Sequence, residues 1–458
     1  MNIRLYNAQI LTMERNRPVF RGEVWVKDGR IISILDCEEE SFSADSVKTE
    51  HRKADCGQKG NQKAEESVRR MQIPESGWDL ALDCEGDLLM PGFKDAHTHS
   101  AMTFLRSYAD DVPLQQWLNT KIFPLEAKLS REDIYHLTRL AVLEYLTSGI
   151  TSIFEMYLSP DAAAEACIDT GMRCVLTSGL NNFTSSIEQT ETEYLKWNSE
   201  NELIRYRLGF HSEYTCSREL LEALAKLAAK YHAPVYTHLA ETAEEVEGCK
   251  KRYGMTPAVF LDSLGIFAYG GGGYHCVHIS EQDMDIFHRR GMYVVTNPAS
   301  NLKLASGIAP VAEYVDRGIP VAVGTDGPAS NNCLDMFREM FLVSGLSKVR
   351  EKDAASLDAA EVLYMATVNG AGAMGLSQAD ILAAGRQADL ILIDLHQPNM
   401  RPVHNIPKNL VYSGSKANVR MTMINGRILY RDGNYNVGES REEIYERCDE
   451  IVKRIVYA

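Results

Sequence analysis

Between Leu88 and Gly327, short apolar runs alternate with longer amphipathic stretches along the chain. This alternation is typical of β/α units, in which each strand of a parallel sheet is followed by a helix that packs on the sheet. We predict eight strands in this region, within the runs LLMPGFKDAH, ITSIFEM, RCVLTSGL, YRLGFHSEY, PVYTHLA, GYHCVHI, MYVVTN and PVAVGTD. Eight such units close into a (β/α)₈ barrel, so the sequence predicts an α/β protein with a TIM-like barrel.

The two ends of the chain are predicted to form a small β domain. The N-terminal region alternates short β-rich runs with turn residues such as Asp28-Gly29, and a hairpin with Asn425-Gly426 at its turn lies near the other end. Because the ends of a barrel chain lie close together, we expect both sets of strands to join in one small β-sandwich. The predicted parts are 1–87 (first part of the small domain), 88–383 (the barrel) and 384–458 (second part of the small domain).

Two further segments stand out in these terminal parts. From about 37 to 78 the composition is polar, charged and nearly free of apolar periodicity, which indicates a surface insertion. From Ser440 to Val456 the apolar spacing is that of a surface helix.

Charge and cysteine usage limit the classes of partner. Asp and Glu number 63 against 48 Lys and Arg, a net charge of −15, which argues against a surface that binds nucleic acid. No apolar run reaches about 18 residues, so we expect neither a membrane span nor a secretory signal. The ten cysteines are scattered without a CxxC pair, and we expect reduced thiols in a cytoplasmic protein.

Histidine and aspartate residues fall at the carboxyl ends of predicted strands. His97 and His99 are separated by one residue, and side chains alternate faces along a strand, so both imidazoles point the same way. His238 ends PVYTH, His275 ends GGGGYH and Asp326 ends PVAVGTD. Barrel active sites are built at these strand ends, so we expect the side chains to meet there.

This combination of groups predicts a metal site. Neutral imidazoles with one carboxylate suit Zn²⁺ or Fe²⁺ and leave one coordination position for water. Lys94 is the sole lysine within the predicted strand ends, so a lysine that bridges two metal ions is not evident and one metal is the simpler interpretation. For the His97 and His99 pair taken alone, a histidine pair without metal remains the alternative.

Several motifs together resemble a known superfamily: PGFKDAHTHS, GFHSEYTCS, THLAET, YHCVHIS, TNPASNLKLASGIAPV, GTDGPASNNCLDMFREM, MATVNGA and ADLILIDL. They resemble the amidohydrolase superfamily, and more narrowly its methylthioadenosine/S-adenosylhomocysteine deaminases and their chlorohydrolase relatives. The resemblance covers nearly the whole chain apart from about 37–78. It implies one divalent metal ion, with zinc preferred and iron as the alternative.

The resemblance also implies roles for individual residues. Glu241 matches the acid that shuttles protons, and His275 matches the histidine beside the bound water. The positions that match the metal ligands are His97, His99, His238 and Asp326.

Three further residues match substrate contacts of the superfamily. Glu126 matches the carboxylate that holds ribose hydroxyls, His211 a histidine that contacts the substrate, and Trp117 a residue that lines the pocket. Without the resemblance, Glu126 would be interpreted as a group at a helix start and His211 as a hydrogen-bonded core histidine.

The chemistry follows from the residue types. A divalent cation lowers the pKa of its bound water toward neutrality, Asp326 can take the proton, and His275 can stabilise the hydroxide or the developing charge. Attack on an amidine-like ring carbon requires protonation of the adjacent ring nitrogen, which Glu241 is placed to provide before it delivers a proton to departing ammonia. With the resemblance, this predicts hydrolytic deamination of an adenine nucleoside at C6 of the purine.

One departure from the superfamily pattern concerns the 5′ end of the substrate. In members that accept S-adenosylhomocysteine, an arginine follows the third strand and another lies in the next loop. Here Ser178 stands at the first place, and no arginine occurs from there to Glu188. We therefore expect a nucleoside with a small uncharged 5′ group, such as methylthioadenosine, 5′-deoxyadenosine or adenosine.

Two alternatives remain open. The same groups could deaminate guanine, 8-oxoguanine or a pterin, or dechlorinate a triazine, although Glu126 has no obvious partner on a free base. A catalytically inactive barrel would be expected to have lost ligands, and none is missing. We expect a small-molecule substrate, no nucleic acid, no membrane and a homo-oligomer.

Overall fold

A computed structural model describes residues 1–37 and 77–457, so the predicted insertion lies almost entirely outside the described residues. The described part contains two sheets. Their strands, β1 to β17 in chain order, are Asn2–Ile10, Phe20–Lys27, Arg30–Asp36, Leu80–Asp83, Leu88–Pro91, Phe93–Thr98, Ile150–Met156, Arg173–Thr177, Ile204–Gly209, Val235–Leu239, Gly271–His275, Tyr293–Thr296, Val321–Val323, Leu390–Ile393, Val419–Ile424, Arg427–Arg431 and Asn434–Tyr435.

Strands β6 to β13 form the barrel, and each of the eight predicted strands is present. Neighbours pair in parallel in chain order, and β13 returns to β6, where the Asp326 N–H donates to the His97 carbonyl at 2.9 Å. Most strand residues are fully buried because helices cover the outside, which explains the continuous apolar runs. Phe154, Tyr236 and Tyr274 are among the side chains that fill the interior. The predicted fold class is confirmed.

Helices connect the strands, and several begin at a side chain that caps their free N–H groups. Ser130 and Ser280 each accept a hydrogen bond from the third residue of the following helix, whose carboxylate bonds back. The helices and helical turns are Ser100–Leu105, Leu114–Trp117, Leu118–Ile122, Phe123–Glu126, Arg131–Thr147, Pro160–Thr170, Ile187–Trp197, Glu213–Thr215, Arg218–Tyr231, Ala243–Tyr253, Pro257–Ser263, Glu281–Arg290, Pro298–Lys303, Val311–Asp316, Met336–Glu351, Ala359–Tyr364, Met365–Asn369, Gly370–Met374, Pro398–Met400, Ile406–Tyr412, Lys416–Asn418 and Arg441–Val456.

The second sheet joins both ends of the chain in the order β17-β16-β15-β14-β5-β1-β2-β3, with β4 paired to β1. The predicted turn residues have the left-handed conformation that tight hairpins need, with φ of 47° at Asp28 and 50° at Asn425. Side chains from the two ends, including Leu5 and Met421, bury a core of their own. This sheet is therefore a separate layer built from both termini.

One predicted run is divided between the two sheets. Leu88–Pro91 pairs with β1 and β14, whereas Phe93–Thr98 pairs with β7 in the barrel. Gly92 lies at the crossing, where a Cβ would stand 2.1 Å from the Thr151 side chain. Only a glycine fits this close approach of the chain to the Thr151 side chain.

The cysteines and the helices of the described residues bear on cross-links and on membrane spans. All nine cysteines among the described residues are free thiols. In the same part of the chain, no helix is both long enough and apolar enough to span a membrane.

A buried ion pair connects the barrel to the terminal sheet. Arg173 of β8 donates from Nη2 to Asp389 Oδ1 at 3.0 Å and from Nε to Oδ2 at 2.5 Å, and the two side chains are 2% and 0% exposed. Asp389 directly precedes β14 and also accepts the Asn425 N–H. The pair therefore ties three segments that are distant in sequence.

We expect Arg173→Met to lower the free energy of unfolding by about 3–5 kcal/mol, because it leaves a buried carboxylate without its partner. Urea denaturation followed by circular dichroism measures the change. The control is Arg218→Met, which breaks an exposed pair with Glu222 and should cost less than about 1 kcal/mol. Equal effects of the two substitutions would contradict the expectation.

Candidate active site

The structure brings four of the predicted residues together at the carboxyl ends of the barrel strands. His97 and His99 come from the end of β6, His238 from β10, and Asp326 lies just beyond β13. One ligand atom from each of the four lies within 4.8 Å of the others. His97 and His99 thus lie on the same face of the strand, as the alternation of side chains along a strand predicts.

Hydrogen bonds turn the donor atoms of this cluster inward. His238 Nδ1 lies 2.7 Å from the His211 carbonyl, and His99 Nδ1 bonds to the Met156 carbonyl. A ring nitrogen that donates to a carbonyl leaves the other nitrogen, Nε2, with a free lone pair. The His238 Nε2 lies 3.1 Å from His97 Nε2. Facing lone pairs of this kind fit a divalent cation bound between them.

The pKa shifts of the three histidines agree with a divalent cation bound in the cluster. Burial lowers the pKa of His97 to about 3 and the pKa of His238 well below its usual value, so both imidazoles are neutral, as metal ligands must be. Burial also opposes protonation of His99, but the adjacent Asp326 carboxylate outweighs it and raises the pKa of His99 to about 9, so a cation bound at the cluster would displace the proton on His99 Nε2. The cluster therefore stabilises positive charge at its centre.

Two serines hold the second oxygen of Asp326. Ser300 Oγ and Ser330 Oγ donate to Oδ2 at 2.6 and 2.7 Å, while Oδ1 faces His97 and His99 at 3.5 and 3.3 Å. Sequence reasoning did not identify these serines. Their signal was position, since each lies in the segment directly after one of the last two barrel strands.

His275 and Glu241 lie beside the cluster. His275 Nδ1 is 2.7 Å from Asn301 Oδ1, which leaves Nε2 free, and this Nε2 is 4.0 Å from Glu241 Oε2. Ser306 Oγ donates to Glu241 Oε1 at 3.3 Å, and burial raises the pKa of Glu241. A buried carboxyl group with a raised pKa can carry a proton to a substrate.

Backbone conformation at these positions is unusual. His275 and Asp326 have φ values of 68° and 60°, in the left-handed region that non-glycine residues rarely adopt, at a cost of about 1–3 kcal/mol each. The turn after β10 is held by Glu245, whose carboxylate accepts the N–H groups of Ala240 and Glu241 at 2.8 and 2.9 Å. Such conformations cluster at functional sites.

A cavity of about 650 Å³ opens onto this cluster and contains the three predicted substrate contacts. Glu126 and Trp117 line it from the helical segment after β6, and His211 lines it from the end of β9. Glu126 is 8% exposed, and its Oε1 accepts a hydrogen bond from Tyr157 at 2.7 Å. Glu126 is therefore a buried cavity residue and not a solvated group at a helix start.

Lys94 points away from the cluster. Its Nζ donates to the Gly92 carbonyl at 2.9 Å and to Thr151 Oγ1 at 2.8 Å, near the start of β6. Lys94 therefore lies outside the cluster, and a single metal ion stays a prediction.

An eight-stranded parallel barrel that gathers three imidazoles and a carboxylate at its carboxyl end has the architecture of a metal-dependent barrel hydrolase. The model of the Amidohydrolase family matches residues 88–429, and the chain belongs to this family.

Relatives and solved structures agree. A 5-methylthioadenosine/S-adenosylhomocysteine deaminase of Syntrophomonas wolfei is 41% identical over 392 residues, which cover 84% of this chain and 91% of that protein. A 5′-deoxyadenosine deaminase of Methanothermobacter thermautotrophicus is 40% identical over 79% of this chain and 86% of its own length. An adenosine deaminase of Xanthomonas campestris with bound zinc superposes with a TM-score of 0.86 at 29% identity, covering 100% of this chain and 98% of that one.

Proposed function

We propose that the protein is a metal-dependent hydrolytic deaminase of an adenine nucleoside of the methylthioadenosine, 5′-deoxyadenosine or adenosine type. Water replaces the amino group at C6 of the purine, and ammonia leaves. The observation that carries this proposal is the buried Glu126 carboxylate in the cavity that opens onto the metal-ligand cluster. A carboxylate there suits two ribose hydroxyls, and a free base offers it no such partners. The relatives at about 40% identity support the same reaction.

The metal would be held by His97, His99, His238 and Asp326, with zinc as the proposed ion. When bound, a divalent ion of this kind supplies Lewis acidity and lowers the pKa of water that it binds. The serine hydroxyls on Asp326 stabilise its carboxylate form, which orients the attacking water and takes its proton.

Glu241 and His275 handle the remaining protons and charge. Glu241 donates a proton to the ring nitrogen next to C6, so that the carbon accepts the attacking oxygen, and it then passes a proton to the departing amine. His275, held by Asn301 through Nδ1, directs Nε2 toward the attacking oxygen and orients it. The C6–O bond forms first and the C6–N bond then breaks. The two hydrogens of the water replace the two protons that Glu241 gives up, so the products gain one hydrogen on ammonia and one on the ring nitrogen. A homo-oligomeric state and a cytoplasmic location stay predictions.

An ammonia-release assay on the metal-loaded protein tests the proposal. Adenine nucleosides should release ammonia faster than guanine or a pterin, and methylthioadenosine should exceed S-adenosylhomocysteine about ten- to a hundredfold in kcat/KM. The reason is that no lysine or arginine of the described residues lines the cavity, so the carboxylate of S-adenosylhomocysteine finds no charged partner.

Two results would contradict these expectations. If S-adenosylhomocysteine matched or exceeded methylthioadenosine, the selectivity argument would be wrong. If no nucleoside reacted, the free-base alternative would replace the proposal.

A further inference from the structure

The connection that follows β8 forms one wall of the cavity and contributes one charged side chain to it. Ser178, Asn181, Thr184 and Gln189 are neutral hydrogen-bonding groups of this wall, and Glu193 is its only ionisable one. The three predicted histidine ligands come from β6 and β10. In the barrel, β7 separates β8 from β6, and β9 separates β8 from β10. The wall is thus placed to meet a part of the substrate other than the reacting carbon.

Glu193 is fixed by two neutral donors. Its Oε1 accepts from Gln189 Nε2 and its Oε2 from the Tyr206 hydroxyl, both at 2.8 Å. Lys196, one turn along the same helix, donates instead to Asp161 at 3.1 Å. Within residues 1–37 and 77–457, no lysine or arginine lies within 4 Å of the Glu193 carboxylate. The side chain is therefore oriented but not neutralised.

A half-buried carboxylate without a cation in direct contact is electrostatically unfavourable. Burial raises the pKa of Glu193 despite the hydrogen bonds from Gln189 and Tyr206. The charge of Asp161 adds to the rise, and the charge of Lys196 opposes it. Each of its oxygens has a lone pair left for another donor. A carboxylate that faces a ligand cavity and has no directly bonded cation indicates a ligand group of opposite sign.

We propose that Glu193 binds an ammonium group on the 5′ substituent of the nucleoside. This inference rests on the proposed function and extends the substrate class to adenine nucleosides whose 5′ group ends in an amine and carries no carboxylate. An ammonium offers three donors and a full positive charge, which match the free lone pairs of Glu193. An amino-acid end group would place its carboxylate near Glu193, where repulsion opposes the gain from its amine.

Two synthetic substrates of equal size test the proposal on the unmodified, metal-loaded enzyme. They are the 5′-aminopropylthio and 5′-butylthio derivatives of 5′-deoxyadenosine, which differ by an ammonium in place of a methyl group. We expect the kcat/KM of the amine to exceed that of the butyl compound roughly tenfold. This factor is at the lower end of the effects seen for hydrogen bonds to charged groups, because Glu193 is only half-buried. The ratio should fall as salt is added.

Substitutions in the helix Ile187–Trp197 then test whether Glu193 causes the ratio of the two kcat/KM values. In Glu193→Gln the ratio should drop to about one, whereas Glu188→Gln, which removes an exposed carboxylate from the same helix, should keep it. A ratio of one or less in the unmodified enzyme, or a ratio that persists in Glu193→Gln, would overturn the inference. Absence of deamination with every nucleoside, methylthioadenosine included, would instead overturn the proposed function.

Discussion

Replacing His238 with alanine is expected to remove most of the bound metal and, with it, nearly all deaminase activity. The change deletes the Nε2 donor that faces His97 Nε2 at 3.1 Å, and it leaves an incomplete ligand set. Elemental analysis of the purified variant and the ammonia-release assay measure both effects. Because the His238 ring also bonds to the His211 carbonyl, circular dichroism should accompany them to show that the barrel is intact.

The matched control is His288→Ala, which removes an exposed imidazole from the helix Glu281–Arg290. This variant should keep its metal and its activity. Full metal content in His238→Ala would show that the cluster is not the metal site.

Glu241→Gln is expected to lower kcat by about 10²–10⁴-fold while metal content stays unchanged. Glutamine keeps the shape of the side chain and its contact with Ser306 but cannot deliver a proton. Glu244→Gln, an exposed change three residues further on, should leave kcat unaltered. An unchanged kcat in Glu241→Gln would mean that the proton comes from another group.

The pH profile gives a second readout of Glu241. Burial raises the pKa of this carboxyl group, and its protonated form is the one that acts. The rate should therefore fall as pH rises through that pKa in the unmodified enzyme. This decline should be absent in Glu241→Gln, because an amide does not titrate in this range.

The residues that hydrogen-bond to the predicted metal ligand Asp326 and to His275 were not identified from the sequence. Ser300 and Ser330 bond to Asp326 from two separate segments, and Asn301 holds His275 across 26 positions. Glu339 lies further out, where its carboxylate accepts the Ala299 N–H and an Asn331 N–H. Position after a barrel strand marks the two serines as candidates, but the contacts themselves depend on how loops from different strands meet in space.

The sequence by itself determined the periodic features of this protein. Alternating short apolar runs and amphipathic stretches specify strands and helices through burial, and the right-handed β/α connection places every strand end on one side of the barrel. His97 and His99 share a face for the same reason, since the strand repeats every two residues. Local geometry is enough for such features, and the eight strands are all present.

Only the tertiary structure decided features that depend on pairing and environment. Leu88–Pro91 and Phe93–Thr98 are both fully buried, yet they join different sheets because their hydrogen-bond partners lie far away in the chain. Likewise, Glu126 and Glu193 are ordinary glutamates in the sequence. Their significance comes from a shared cavity whose lining, among the described residues, contains no lysine or arginine, because the free energy of a buried charge depends on the groups packed around it.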